Sequence, residues 1–301
     1  MRELHCSSNI IYSFHQENEP KMTVNSGETI VIETYDCFEN QIQSPTDTID
    51  VLDWERINPA TGPIYIKEAE AGDILKVTIH KIEVGERGVL VTGPNVGMLG
   101  DELTEMALKM VDIREDQVIF NDELAFPLTK MIGVIGVAPE GKPVPCGTPD
   151  RHGGNMDTCL IKEGATLYLP VFVKGALFAL GDFHAAMGDG EIGGSGVEVA
   201  GKATVTLEVI KGSTIEHPML ENEEHLAFIV SAATMDEAIQ LATKQAVHFL
   251  VRNSTLTLAE STMLLSAVGQ AQISQVVDPL LTARFLIPKS ILQSLQINIF
   301  S

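Results

Sequence analysis

Positive charge is scarce in this chain. Its 301 residues hold 20 Lys and Arg against 41 Asp and Glu, a formal net charge of −21. Nucleic acids and anionic membrane surfaces both demand clustered Lys and Arg, so neither is expected as a partner. No uninterrupted apolar run is long enough for a membrane span, and the opening Met1-Arg2-Glu3-Leu4-His5-Cys6 lacks the apolar core of an export signal. A cytoplasmic location is the expectation. Aromatic residues amount to only 5%, with one tryptophan, yet a hydrophobic content of 45% supports a substantial core. The four cysteines, Cys6, Cys37, Cys146 and Cys159, show no Cys-x-x-Cys spacing and read as reduced thiols. Cys146 and Cys159 lie near the loop around His152 and invite comparison with a nucleophile, but buried structural cysteine is the commoner case. Walker and dinucleotide glycine motifs are missing too, so no organic cofactor is expected.

What is present reads mostly as β structure. Thr29–Thr34 is β-branched and follows a Ser-Gly turn, and 74–82 alternates with Lys76, Thr78 and His80 on one face. Ser8–Phe14, 131–139, 166–173 and 203–210 are further strand candidates, and the tight loop 58–63 leads into Ile64-Tyr65-Ile66. A hairpin joining 166–173 to Leu177-Phe178-Ala179-Leu180 would carry two glycine-rich loops towards one sheet end. After Pro218 the pattern changes. A strand at 225–231 precedes two capping boxes, Thr234-Met235-Asp236-Glu237 and Thr257-Leu258-Ala259-Glu260. Ala238, Leu241, Ala242, Gln245, Ala246 and Phe249 then follow helical spacing, Gly269 ends the second helix, and strands are expected near 272–277 and 283–287. Residues 1–218 therefore read as a β-rich portion, and 219–301 as a smaller α+β portion that either folds alone or completes an interface.

Two polar, glycine-rich stretches stand out. In Gly181-Asp182-Phe183-His184-Ala185-Ala186-Met187-Gly188-Asp189-Gly190-Glu191, Asp182 and His184 are two apart and share a face of an extended segment, and Asp189 and Glu191 repeat that spacing. The second stretch, Arg151-His152-Gly153-Gly154-Asn155-Met156-Asp157, holds a histidine, an amide and an acid. Asp36 ends an early strand, a place where sites collect. These side chains suit either of two tasks. They could bind a cation through carboxylate oxygen and imidazole nitrogen, or perform acid–base catalysis without one.

Both stretches resemble the signature of the acetamidase/formamidase family. So do Met131-Ile132-Gly133-Val134-Ile135-Gly136-Val137-Ala138-Pro139, Leu167-Tyr168-Leu169-Pro170-Val171-Phe172, Thr61-Gly62-Pro63-Ile64-Tyr65 and Ile273-Ser274-Gln275-Val276-Val277, in matching order over nearly the whole chain. The resemblance implies hydrolysis of a short aliphatic amide, formamide or acetamide, to a carboxylic acid and ammonia. It implies a mainly β fold with jelly-roll or β-sandwich-like and barrel-like parts beside the C-terminal α+β unit, a divalent metal (zinc or calcium), and a homodimer or higher homo-oligomer. Carried onto this chain, it points to His184, Asp182, Glu191, Asn155 and Asp157 as catalytic, Asn155 stabilising the oxyanion. Asp36, His152, Gly153 and Gly154 fall to substrate binding, and Asp157, His184, Asp189 and Glu191 to the metal. Two departures are visible: Met187 stands where Gln is expected, and His15–Pro20 is short and lacks a Trp. The competing readings are a non-catalytic protein whose acidic loop holds calcium, and a hydrolase of a different amide or carbamoyl compound, with Met187 marking a more apolar pocket.

Overall fold

A computed structural model describes residues 1–300. The expected alternation is met where one strand face is buried. Ile30, Ile32 and Thr34 point inward from the strand Glu28–Thr34, as do Ala203, Val205 and Leu207 from Gly201–Ile210. These strands belong to a nine-stranded sheet. Its spatial order is Arg2–Leu4, Glu28–Thr34, Gly201–Ile210, Ile74–Val84, Thr166–Pro170, Met219–Glu221, His225–Ala232, Leu281–Pro288 and Gln270–Gln275. His80 is exposed on this sheet and meets Thr206 Oγ1 across the strands at 2.6 Å.

A second sheet, of eleven strands, is centred on Phe178–His184, every residue of which is buried. Burial on both faces explains its nearly unbroken apolar sequence up to Gly181. Met131–Gly136 pairs with it on one side, while Ala60–Ile66 and Glu198–Val199 share the other. The main core lies between the sheets, where Ile30, Val205 and Leu75 meet Ile132, Leu180 and Phe183. The fold is thus mainly β with a C-terminal α+β region. The sheets are open, so the barrel-like parts of the sequence expectation are sheets with free ends.

Several local expectations are corrected. Thr166–Pro170 and Phe178–His184 form no hairpin but lie in different sheets. The chain crosses between them through a turn at Gly175 (φ +78°), where a Cβ would come within 2.1 Å of the Tyr65 ring. The stretch read as a loop before Ile64 is strand from Ala60 onward. Ser8–Phe14 is broken into Ile10–Ile11 and Ser13–Phe14. Arg87–Thr92 and Ala107–Arg114, unread in the sequence, carry charges along strands that are only partly buried.

Residue 218 is not a break in the sheet. Met219–Glu221 pairs with Thr166–Pro170 on one side and His225–Ala232 on the other, so one sheet spans both portions. Helix α1 (Met235–Asn253) lays Ala242, Ala246, Phe249 and Leu250 on that sheet beside Phe228 and Phe285. Burying Phe249 and Leu250 contributes about 1.5–3 kcal/mol each. Thr234 caps α1 through Glu237 N, whereas Thr257 and Glu260 complete the reciprocal box on α2 (Leu258–Val268). Gly269 ends α2 as expected, for an unexpected reason. Its φ is an ordinary −77°, but a Cβ there would sit 2.5 Å from the Phe285 ring. None of these helices is long and apolar enough to cross a membrane.

Candidate active site

The pairing of Met131–Gly136 with Phe178–His184 sets Gly133 opposite Asp182. A Cβ on Gly133 would lie 2.4 Å from Asp157 Oδ1 and 2.6 Å from Asp182 Oδ2, so the bare backbone there makes room for two carboxylates. Asp157 arrives from the chain that follows Gly153–Asn155, the next strand of the sheet. Glu191 comes from the loop after Phe178–His184. Asp157, Asp182 and Glu191 have φ of +39°, +55° and +49°, a left-handed conformation that is unfavourable for residues with a Cβ. Such strain persists only where the surrounding structure imposes it, and it collects at functional sites.

The acids converge on one imidazole nitrogen. His184 Nε2 lies 3.2 Å from Glu198 Oε2, 3.4 Å from Asp182 Oδ1, 3.8 Å from Asp157 Oδ1 and 4.0 Å from Glu191 Oε1, and each of these side chains is at most 5% exposed. None of these contacts is aligned as a hydrogen bond. Both nitrogens of His184, both carboxylate oxygens of Asp157, Asp182 Oδ1 and Glu198 Oε2 are buried without a hydrogen-bond partner. Nearby, Asn155 Nδ2 donates to Asp278 Oδ2 at 3.0 Å, leaving its second amide hydrogen for a ligand.

Burial against like charge governs the proton affinities. Burial first, then Glu191 and Asp182, drives the Asp157 carboxyl well above the usual range. Burial also raises Glu191 and Asp278, and pushes Glu198 up to about 7 although His184 opposes it. For His184, burial favours the neutral ring, but Glu198 and Asp182 outweigh it and raise its pKa. Asp182 is held below its ordinary value by His184 in spite of burial. Orphaned oxygens with no Lys or Arg to neutralise them suit a divalent cation. Asp157, His184 and Glu191 offer ligand atoms within 4.8 Å of one another, and so do Cys37, Asp182 and Glu198. The donor set therefore fits such an ion.

Asp182, Glu191, Glu198 and Asp278, with Asn155, form the acidic floor of a cavity of about 540 Å³, whereas Asp157 and His184 are fully buried and do not line it. Other residues singled out in the sequence lie elsewhere. Asp189 pairs with Arg284 Nη2 at 2.5 Å, its side chain 46% exposed, because the loop turns between it and Glu191. The Asp36 carboxylate closes a turn, accepting from the amides of Phe38 (3.0 Å) and Asn40 (2.7 Å), and its neighbour Cys37 faces the cavity instead. His152, Gly153 and Gly154 are buried and do not line the cavity; Gly153 and Gly154 pair with Gly136 and Ile135 in the strand that ends at Asn155. Met187 lines a separate cavity that shares only Glu191 and Ser195 with the first, so it is not a wall of the acid-floored pocket. Cys146 lines the cavity but is buried with its thiol towards Ile11 O at 3.5 Å, and burial raises its pKa and that of Cys159, the latter to about 12. Glu198, Asp278 and Cys37 were not singled out from the sequence. Glu198 sits between Val197 and Val199 like any strand residue, and only its pairing opposite His184 reveals it.

His152 makes a separate prediction. It is 2% exposed, stands edge-on to Phe14 with ring centroids 5.1 Å apart, and burial lowers its pKa to about 4. Between that value and the usual 6.5 the unfolded chain binds the extra proton, so this contribution to stability is intact above 6.5 and lost as pH falls towards 4. His152 alone is expected to cost about 3 kcal/mol over that span, read in urea melts as the difference between wild type and His152→Leu, because the raised carboxyls of Asp36 and Glu198 act in the opposite direction. The loss should be much smaller in His152→Leu; an equal loss in the variant would place the acid sensitivity elsewhere.

A buried carboxylate–imidazole cluster beneath an open cavity on a two-sheet scaffold is the arrangement of a hydrolytic or metal-binding centre. The acetamidase/formamidase family model matches residues 4–143 and 142–294, and the chain belongs to that family. Among solved structures it is similar to a predicted acetamidase/formamidase from Thermoanaerobacter tengcongensis. The two are 51% identical with a TM-score of 0.97, over 99% of this chain and 98% of that one. An acetamidase from Bacillus halodurans is 44% identical with a TM-score of 0.96, over 98% of this chain and 100% of that one. A putative formamidase from Schizosaccharomyces pombe is 26% identical, over 63% of this chain and 61% of its own length. The match thus spans about three fifths of that curated relative.

Proposed function

We propose that this protein is an amidohydrolase that cleaves a short aliphatic amide, formamide or acetamide, to a carboxylic acid and ammonia. The observation that carries the reading is the convergence of four buried carboxylates on His184 Nε2, in the family whose named relatives are amidases. Asp157, His184 and Glu191 would hold a divalent cation, with the imidazole favouring zinc over calcium and the oxygens of Asp182 and Glu198 close by. A bound ion of this kind polarises a carbonyl and acidifies water. Asn155 offers its free amide hydrogen to the carbonyl oxygen, fixing the substrate's orientation. A floor carboxylate takes a proton from water as its oxygen bonds to the acyl carbon. The cluster around His184 returns a proton to nitrogen as the C–N bond breaks.

The enzyme is further proposed to work in the cytoplasm, in keeping with four unpaired thiols. It is also proposed to associate with copies of itself. Leu258, Met263 and Ile273 are 54%, 65% and 40% exposed, apolar side chains on α2 and on the edge strand Gln270–Gln275 whose unpaired edge is suited to burial. Sedimentation is expected to show a dimer or larger; a monomer at micromolar concentration would end that part.

Ammonia release from formamide and acetamide, with and without a strong chelator, tests the main reading. Release that the chelator abolishes and zinc restores is the expected result. A protein that binds the ion but hydrolyses no amide would instead be a non-catalytic metal-binding protein.

A further inference from the structure

We infer that the cavity selects uncharged primary amides bearing an apolar acyl arm of about phenyl size, beyond formamide and acetamide. The inference rests on the amidase reading and adds the substrate class. Size is the first observation. The cavity holds about 540 Å³, whereas formamide or acetamide fills the space of two or three waters, about 60–90 Å³. A pocket of this size is typical for a much larger ligand.

The walls are the second observation. Above the acids, Phe38, Trp54, Ile57, Val91 and Val96 line the cavity with apolar surface. This wall is built rather than incidental. Phe38 and Val91 are packed in a small core with Leu52 and Val89, and Ile57 lies against it. Asn58 N bonds back to Cys37 O at 2.6 Å, and Arg56 Nη2 meets Glu39 Oε1 at 2.6 Å. The segment 37–58 is thereby closed on itself, with Trp54, half exposed, among the residues that line the cavity.

Charge is the third. Glu55, Asp182, Glu191, Glu198 and Asp278 line the cavity, and no Lys, Arg or His does. Away from the floor, where the ion is proposed to sit, an acyl arm ending in a carboxylate meets Glu55 and apolar side chains, with no cation to pair it. The amide nitrogen must leave as ammonia once water's oxygen has joined the acyl carbon and the C–N bond has broken. The arm that the apolar wall holds is therefore the acyl arm.

The test compares kcat/KM for acetamide, phenylacetamide and succinamate on the zinc-loaded protein, in wild type and Trp54→Ala. Phenylacetamide is expected to exceed acetamide by at least about tenfold, since each buried methylene is worth about 10-fold or more in such a pocket. Succinamate should fall below acetamide. Trp54→Ala should reduce the phenylacetamide-to-acetamide ratio by about tenfold. Acetamide turned over faster than phenylacetamide, or succinamate equal to it, would overturn the inference and leave the amidase reading intact. If no amide releases ammonia, the amidase reading fails, and the cavity is judged by binding. Trp54 is the chain's single tryptophan and lines the cavity, so its fluorescence reports the cavity wall directly. Saturable quenching by phenylacetamide and not by succinamate would uphold the cavity's selectivity, and its absence would end it.

Discussion

His184→Ala is expected to lower kcat/KM for acetamide about 1,000-fold or more, the scale on which a positioned acid–base group contributes. The expectation follows from where the ring sits. Its Nε2 is the point on which Asp157, Asp182, Glu191 and Glu198 converge within 4.0 Å. Removing it takes away the cluster's one nitrogen donor and the one group whose positive charge offsets the acids. Asp189→Ala supplies the contrast. Asp189 has the residue type and spacing of a ligand but is tied to Arg284 at 2.5 Å and nearly half exposed. Its loss is expected to lower Tm by a few degrees, on the scale of about 1 kcal/mol for a chain of this length, with turnover kept within about tenfold. Steady-state kinetics with thermal melts on both variants decides between spacing and geometry. Equal losses of activity would mean that the loop holding Asp189 turns inward in the working enzyme.

The second large effect needs no catalytic group to be removed. In Gly133→Ala the new methyl would stand 2.4 Å and 2.6 Å from oxygens of Asp157 and Asp182. Ordinary contacts are about an ångström longer, so both carboxylates must move, and a displacement of that size costs on the order of 100-fold in rate. Overpacking a buried strand adds a stability loss of about 1–3 kcal/mol. Gly141→Ala is the control. Gly141 has a φ of +92° but nothing within 4 Å of a Cβ. It should lose about 1 kcal/mol through backbone strain and keep its rate. Kinetics and urea melts on both separate crowding at the site from strain in the chain; a Gly133→Ala enzyme of normal rate would show that the two acids are free to shift.

These expectations indicate which parts of the molecule were legible. Alternation marked Glu28–Thr34, Ile74–Val84 and Gly201–Ile210, because each has one face on the main core. The capping residues Thr234 and Thr257 marked the start of both long helices. In the site, Asp157, Asp182, His184 and Glu191 were legible because glycines crowd around them. Asp189 carried the same local signal and went to Arg284, since a period of two has no meaning in a loop that is not extended. Glu198 and Asp278 had no signal at all. One sits in a short valine-flanked strand and the other in a Val-Asp-Pro turn, and each reaches the site only through pairing with distant chain. The hairpin expected after Thr166–Pro170 failed similarly, because adjacency along the chain does not say which of two sheets a strand will join.

The loop bearing Glu191 is fastened from the far end of the molecule. Gly190 N bonds to Ser274 O at 2.7 Å, Val276 N to Gly190 O at 3.1 Å, Asp189 to Arg284, and Asn155 to Asp278. During synthesis, therefore, most of the acidic floor is made long before the residues that hold it in place. A chain cut short before Ser274 contains His184 and the four carboxylates around it, but lacks these anchors and the Asp278 wall. Assembly of the candidate site thereby becomes a late event, reserved for chains translated past Arg284.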